Sequence, residues 1–266
     1  MEGCLKQVVD GVEMSTLPNL PLDVRQLLRR FVTEVRVLFG ASLEGVVLYG
    51  SAARGDFLPG RSNVNLLVLL NKHEFGVLQR YGRIHRRFAR EKFIVPLLIT
   101  EQELRDTADL FPLEYLEIKE HHVLLSGRDP FAELRLDQRH LRLQCEQELH
   151  GNLLRLRQRF VEGGSRPDAV LILLPLSVAS LLPCLRGLLV TLGVAPRAAA
   201  EDQIQDVQTK LGVDLAAFLE AVRLKRGLIS PGLAEAPRLF ERYLAAFQAL
   251  VERVDQLRAQ GRGEQA

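Results

Sequence analysis

The sequence has little paired cysteine, almost no excess charge of either sign, and no long uninterrupted apolar run. Each lack narrows the reading. Its three cysteines, Cys4, Cys145 and Cys184, are far apart and form no Cys-x-x-Cys. That argues against a cysteine metal site and for three reduced thiols, as expected of a cytoplasmic protein. Thirty-five Lys and Arg face 33 Asp and Glu, a formal net charge of +2. Bulk charge therefore points to neither a nucleic-acid partner nor a membrane surface. The start, Met1 to Gln7, lacks a basic stretch followed by an apolar run, so no signal peptide is expected. Ala169 to Leu185 carries no charge, and the apolar character resumes after Arg186 up to Val194. Yet Pro175, Ser177, Ser180, Pro183 and Arg186 interrupt the run near the ~20 residues that a spanning helix needs. A core helix of a bundle is the expectation, not a membrane span. Internal repeats and long low-complexity tracts are also lacking.

What remains is a chain of 266 residues, 47% of them hydrophobic, enough for two compact domains or one large one. Leu22 to Phe39 repeats Val24, Leu27, Leu28, Phe31, Val35 and Leu38 at three- and four-residue steps, which predicts an amphipathic helix that Gly40 stops. Leu43 to Tyr49 reads as a strand, followed by a loop from Ala52 to Ser62. Val64 to Leu70 reads as a second, buried strand, and Lys72 to Arg90 as a helix. Phe93 to Ile99 reads as a third strand, with Pro96 demanding an edge or a bulge. Thr100, with Glu103 three residues on, opens another helix. Leu113 to Leu125 reads as a strand or as a helix and strand together. Beyond residue 130 the pattern is helical throughout: 131–161, 168–192, 200–211, 215–224 and 237–257. Gly163-Gly164-Ser165-Arg166-Pro167 makes a clear break. The fold class is therefore α+β: a mixed sheet with flanking helices over 1–130, followed by an all-α bundle over 131–266.

The informative stretch is Tyr49-Gly50-Ser51-Ala52-Ala53-Arg54-Gly55-Asp56-Phe57-Leu58-Pro59-Gly60-Arg61-Ser62-Asn63-Val64-Asn65. A strand runs into Gly-Ser, a loop follows, and polar residues stand at i and i+2 where the next strand begins. Side chains two apart on a strand share a face, so Asn63 and Asn65 should point together towards the Gly-Ser turn.

This stretch resembles the signature of the polymerase-beta-like nucleotidyltransferase superfamily, which includes bacterial kanamycin and other aminoglycoside nucleotidyltransferases. Phe111 to Ile118, followed by Leu124-Leu125-Ser126-Gly127-Arg128-Asp129-Pro130, looks like the end of the catalytic domain in bacterial relatives. The helical second half is also of the kind found there. The resemblance implies that Gly50 and Ser51 hold phosphate oxygens and that Arg54 and Gly55 shape the loop. Arg54 and Arg61 are then candidate phosphate ligands through their forked donors.

It also implies a departure from the pattern. Where the family carries an Asp-x-Asp pair for divalent metal, this chain carries Asn63 and Asn65, and no carboxylate lies within 93–99 to act as the third acid. Glu91 and Glu101 stand only at the ends of that segment. An Asn lends a carbonyl oxygen but no charge, and magnesium favours carboxylate oxygen. Each lost charge is worth about 4 kcal/mol at an effective dielectric of 20. The expectation is a nucleotide- or phosphate-binding protein that has lost catalysis, with no catalytic residue, no metal and no cofactor. One alternative is an active nucleotidyltransferase that uses Mg2+ with ATP or GTP on a small molecule or protein. Another is a regulatory partner that binds a protein, or a second copy of itself, through the helical half.

Other polar groups have plainer readings. Glu114 and Glu117 share a face only if their segment is helical, and could then replace lost acids. His121-His122, His140 and His150 have no metal spacing and read as structural. Gly50-Ser51 alone could be a strand-end turn, and Asn63 and Asn65 could cap the strand start. Arg186, in an apolar helix, needs an acid across the bundle or a polar cleft.

Overall fold

The structure, a computed structural model, describes residues 20–55, 57–59, 62–72, 74–91 and 93–263, with side chains as far as Leu257. The chain forms two compact units, divided between Arg135 and Leu136.

The first unit opens with helix α1, Leu22–Phe39. Its buried residues Val24, Leu28, Phe31, Val32, Val35 and Phe39 follow helical spacing. Gly40, at φ +53°, ends it, and a single 3-10 turn leads into strand β1, Leu43–Tyr49. A short helix, α2, Ser51–Arg54, precedes β2, Asn65–Leu70. Then come α3, Phe75–Phe88, and, beyond the 3-10 turn Ala89–Glu91, β3, Leu97–Thr100. Helices α4, Glu101–Asp106, and α5, Pro112–Glu120, lead into β4, Val123–Gly127.

The sheet order is β3-β2-β1-β4. β1 runs antiparallel to β2 and β4, while β2 and β3 are parallel. β2 is central, and Leu66 to Leu70 are all buried, as the unbroken apolar run demands when both faces are covered. Val46, Leu48, Leu66, Val68 and Leu70 share a core with α1 and α3. Phe31 centres it, with Phe88 edge-on at 5.3 Å and Phe93 at 5.9 Å between ring centroids.

Four local outcomes differ from the sequence pattern. The segment expected to be loop contains α2, which is only one turn long and closed by Gly55 at φ +83°. Pro96 delays the third strand to Leu97, leaving a lone bridge between Phe93 and Val64. Segment 113–125 resolves into α5 and β4, because Pro112 sets the first helical turn. The long helix after residue 130 starts only at Gln138, capped by Asp137.

The second unit consists of α6, Gln138–Glu162, α7, Pro167–Thr191, α8, Ala200–Leu211, α9, Ala216–Lys225, and α10, Ala236–Gly263. α7 is long and apolar enough to cross a membrane by composition alone. Within this unit it is the hub, packed against α6, α8, α9 and α10. Its polar residues find partners inside the bundle. Ser180 Oγ donates to Asn152 Oδ1 at 3.1 Å, and the buried Tyr243 hydroxyl donates to Ser177 Oγ at 3.0 Å. Arg186 is buried on the same helix. Phe218, Tyr243 and Phe247 form the aromatic centre.

Candidate functional site

Strand register brings the motif together. Tyr49, the last residue of β1, pairs with Asn65, the first of β2. The chain then turns at Gly50, whose φ of +75° and ψ of −153° suit glycine alone. Ser51 begins α2, and the N–H groups of Ala53 and Arg54 return to the Gly50 carbonyl at 3.1 and 3.0 Å. As in any helix, the N–H groups of the first turn lack intrahelical acceptors.

The Asn65 carboxamide lies directly over Gly50. A Cβ built on Gly50 would run into the Asn65 amide nitrogen. Asn65 therefore points at the Gly-Ser turn, as the alternation of strand side chains requires. Asn63 lies two residues earlier, before the Val64 bridge, and is exposed. Ser51 and Gly55 are part-buried on either end of α2. Arg61 lies outside the described residues.

Arg54 is not simply a solvated loop charge. Its Nη1 lies 3.4 Å from Glu117 Oε2 on α5. Because 112–120 is helical, Glu114 and Glu117 fall three apart along one helix, and Glu117 is the one that meets Arg54. That carboxylate stands beside the motif, although the sequence pattern does not tie it to Arg54. The available signal was the three-residue spacing, which has meaning only once the segment is known to be helix. Beside the motif, burial raises the Tyr49 hydroxyl above the ordinary tyrosine pKa.

Register also separates the motif from Glu101. Thr100 pairs with Leu70, five residues along β2 from Asn65, or ~17 Å at strand rise. Glu101 therefore stands at the opposite end of the sheet, in an ion-pair cluster with Arg128 and Arg105. Arg128 holds its carboxyl below the usual carboxylate range. Glu91 sits on the exposed 3-10 turn before Phe93. His122 Nε2 lies 3.2 Å from Asp129 Oδ1, and its Nδ1 lies 3.0 Å from the Ile118 carbonyl.

Asn65, which faces the turn, and Asn63, exposed two residues earlier, supply neutral amides, and the neighbouring carboxylate of Glu117 is engaged by Arg54. Among the described residues, no three His, Cys, Asp or Glu side chains gather as a metal site. This donor set does not fit magnesium, a hard cation that favours carboxylate oxygen.

Strand, glycine turn, one-turn helix and a second strand whose first residue, Asn65, packs on that glycine define the motif end of an α+β unit. Residues 28–140 match the family model of the nucleotidyltransferase domain. No curated protein matches the chain in sequence. Among solved structures, one similar chain is the spectinomycin adenyltransferase AAD(9) from Enterococcus faecialis, crystallised with ATP and spectinomycin. It is 10% identical, covers 86% of this chain and 99% of its own, and aligns with a TM-score of 0.45.

Proposed function

We propose that the first unit binds a nucleotide or another phosphate compound without metal, and that it does not transfer a nucleotidyl group. The observation that carries this reading is the Asn65 amide seated against Gly50. The turn that would cradle phosphate is kept, while the charge that would gather magnesium is gone. Two-metal phosphoryl transfer depends on that charge. Gly50, Ser51 and Arg54 then hold anionic oxygens through backbone N–H groups, a hydroxyl and a guanidinium. We place the protein in the cytoplasm, with its thiols reduced.

Calorimetric titration of ATP and GTP, with magnesium and again with chelator, tests the reading. Binding that survives chelation supports it. Binding only with magnesium, together with label transfer to an acceptor, would overturn it in favour of an active enzyme. The proximity of Glu117 to the motif is the one observation that favours that second reading. Absence of binding under both conditions would shift the weight to a regulatory partner role through the helical unit.

A further inference from the structure

The near balance of charge over the whole chain hides a local imbalance. From Phe75 to Arg90 there are five arginines, at 80, 83, 86, 87 and 90, and no Asp or Glu. All five are exposed. The apolar stripe of α3 (Val77, Tyr81, Ile84 and Phe88) faces the core, which forces the arginines outward. Neighbouring α1 adds Arg29 and Arg30, also exposed.

Few acids answer them. Glu34 is shared by Arg87 at 2.7 Å and Arg30 at 2.9 Å. Glu74, at the start of α3, feels Arg80 but is bound to Lys72. Arg83, Arg86 and Arg90 have no ion-pair partner among the described residues. Arg83 and Arg86, three residues apart, share one side of α3 at a rise of about 4.5 Å, and Arg90 follows on the 3-10 turn just beyond its end.

We propose that these arginines of α3 and of the 3-10 turn that follows it dock the phosphate backbone of a nucleic acid, without reading its sequence. Guanidinium forks suit phosphate oxygens, and a row of them one helical turn apart suits a chain of repeated charge. A membrane surface fits less well. Such helices insert an apolar face, and the apolar face of α3 is buried in the core, leaving only Phe75 and Leu78 exposed at its first turn. A protein interface is centred on apolar or aromatic groups, and here the exposed ones, Phe75 and Leu78, stand at the first turn and not among the arginines.

The test is fluorescence anisotropy with a labelled, unstructured single-stranded RNA of about 20 nucleotides, titrated across a range of salt. The full chain is expected to bind at low salt. Three phosphate contacts give a slope of log affinity against log salt of about −2. Arg83→Gln, Arg86→Gln and Arg90→Gln together should weaken binding at least about tenfold and flatten the slope by the same ~2. The triple Lys variant should retain most of the affinity. Circular dichroism melts of both variants should match the parent, since the three positions are exposed. Binding unchanged in the triple Gln variant would overturn the proposal. So would no binding at low salt, or co-sedimentation with phosphatidylserine vesicles in preference to RNA.

Discussion

Gly50 shows how much one residue can constrain. Its backbone lies where a side chain is strained, and the space a Cβ would need is already filled by Asn65. Gly50→Ala should cost about 1–3 kcal/mol from backbone strain, more than an ordinary exposed substitution. Urea denaturation checks this. Adding Asn65→Ala should recover only the part due to the clash, so the double variant stays less stable than Asn65→Ala alone. The chemical counterpart of this experiment is Asn63→Asp with Asn65→Asp. Carboxylate and carboxamide have the same shape, so the packing over Gly50 is kept while charge is added. Calorimetry should then detect tighter magnesium binding than the parent chain shows. If none appears, Asn63 and Asn65 are not the metal positions of this fold.

Elements respond through their ends. Thr100 and Glu103 form a reciprocal capping box: the Thr100 hydroxyl accepts from Glu103 N–H, and the Glu103 carboxylate accepts from Thr100 N–H at 2.8 Å. Thr100→Ala should cost about 1 kcal/mol, read from the denaturation midpoint. At the start of α6, Asp137 accepts from the side chain and the backbone N–H of Arg139, which hold its carboxyl at about 2, below the usual 3.8. A depressed folded value stabilises above the unfolded pKa and is lost as pH falls towards 2. Asp137→Asn should therefore flatten the acid limb of stability between about pH 4 and 2, measured by thermal melts across that range. Much of this level was legible in the sequence. Periodicity placed α1 residue for residue, because one face is uniformly apolar, and the Thr100 cap follows from its spacing to Glu103. Segment 113–125 stayed open, because α5 is apolar on several sides, with Leu113, Tyr115, Leu116 and Ile118 all buried. Strand register was not legible either. It is set by pairing between segments distant in sequence, and it separates Glu101 from the motif.

At the scale of the molecule, the two units rest on separate chemistries. The first is built on a sheet whose loop end carries the motif. The second is built on α7 and an aromatic centre of Phe218, Tyr243 and Phe247, where Phe247 is wholly buried. Phe247→Ala should cost about 3–5 kcal/mol by opening a cavity. Tyr243→Phe, which removes only the donor to Ser177, should cost about 1 kcal/mol. Chemical denaturation followed by circular dichroism distinguishes the two magnitudes. The seat of Asn65 over Gly50 also has a meaning in heredity. In the genetic code an Asn codon becomes an Asp codon by one change at its first base. Since the neighbouring packing already accepts that shape, two such changes separate this gene from one encoding both acids, and selection could cross that distance without first rebuilding the fold.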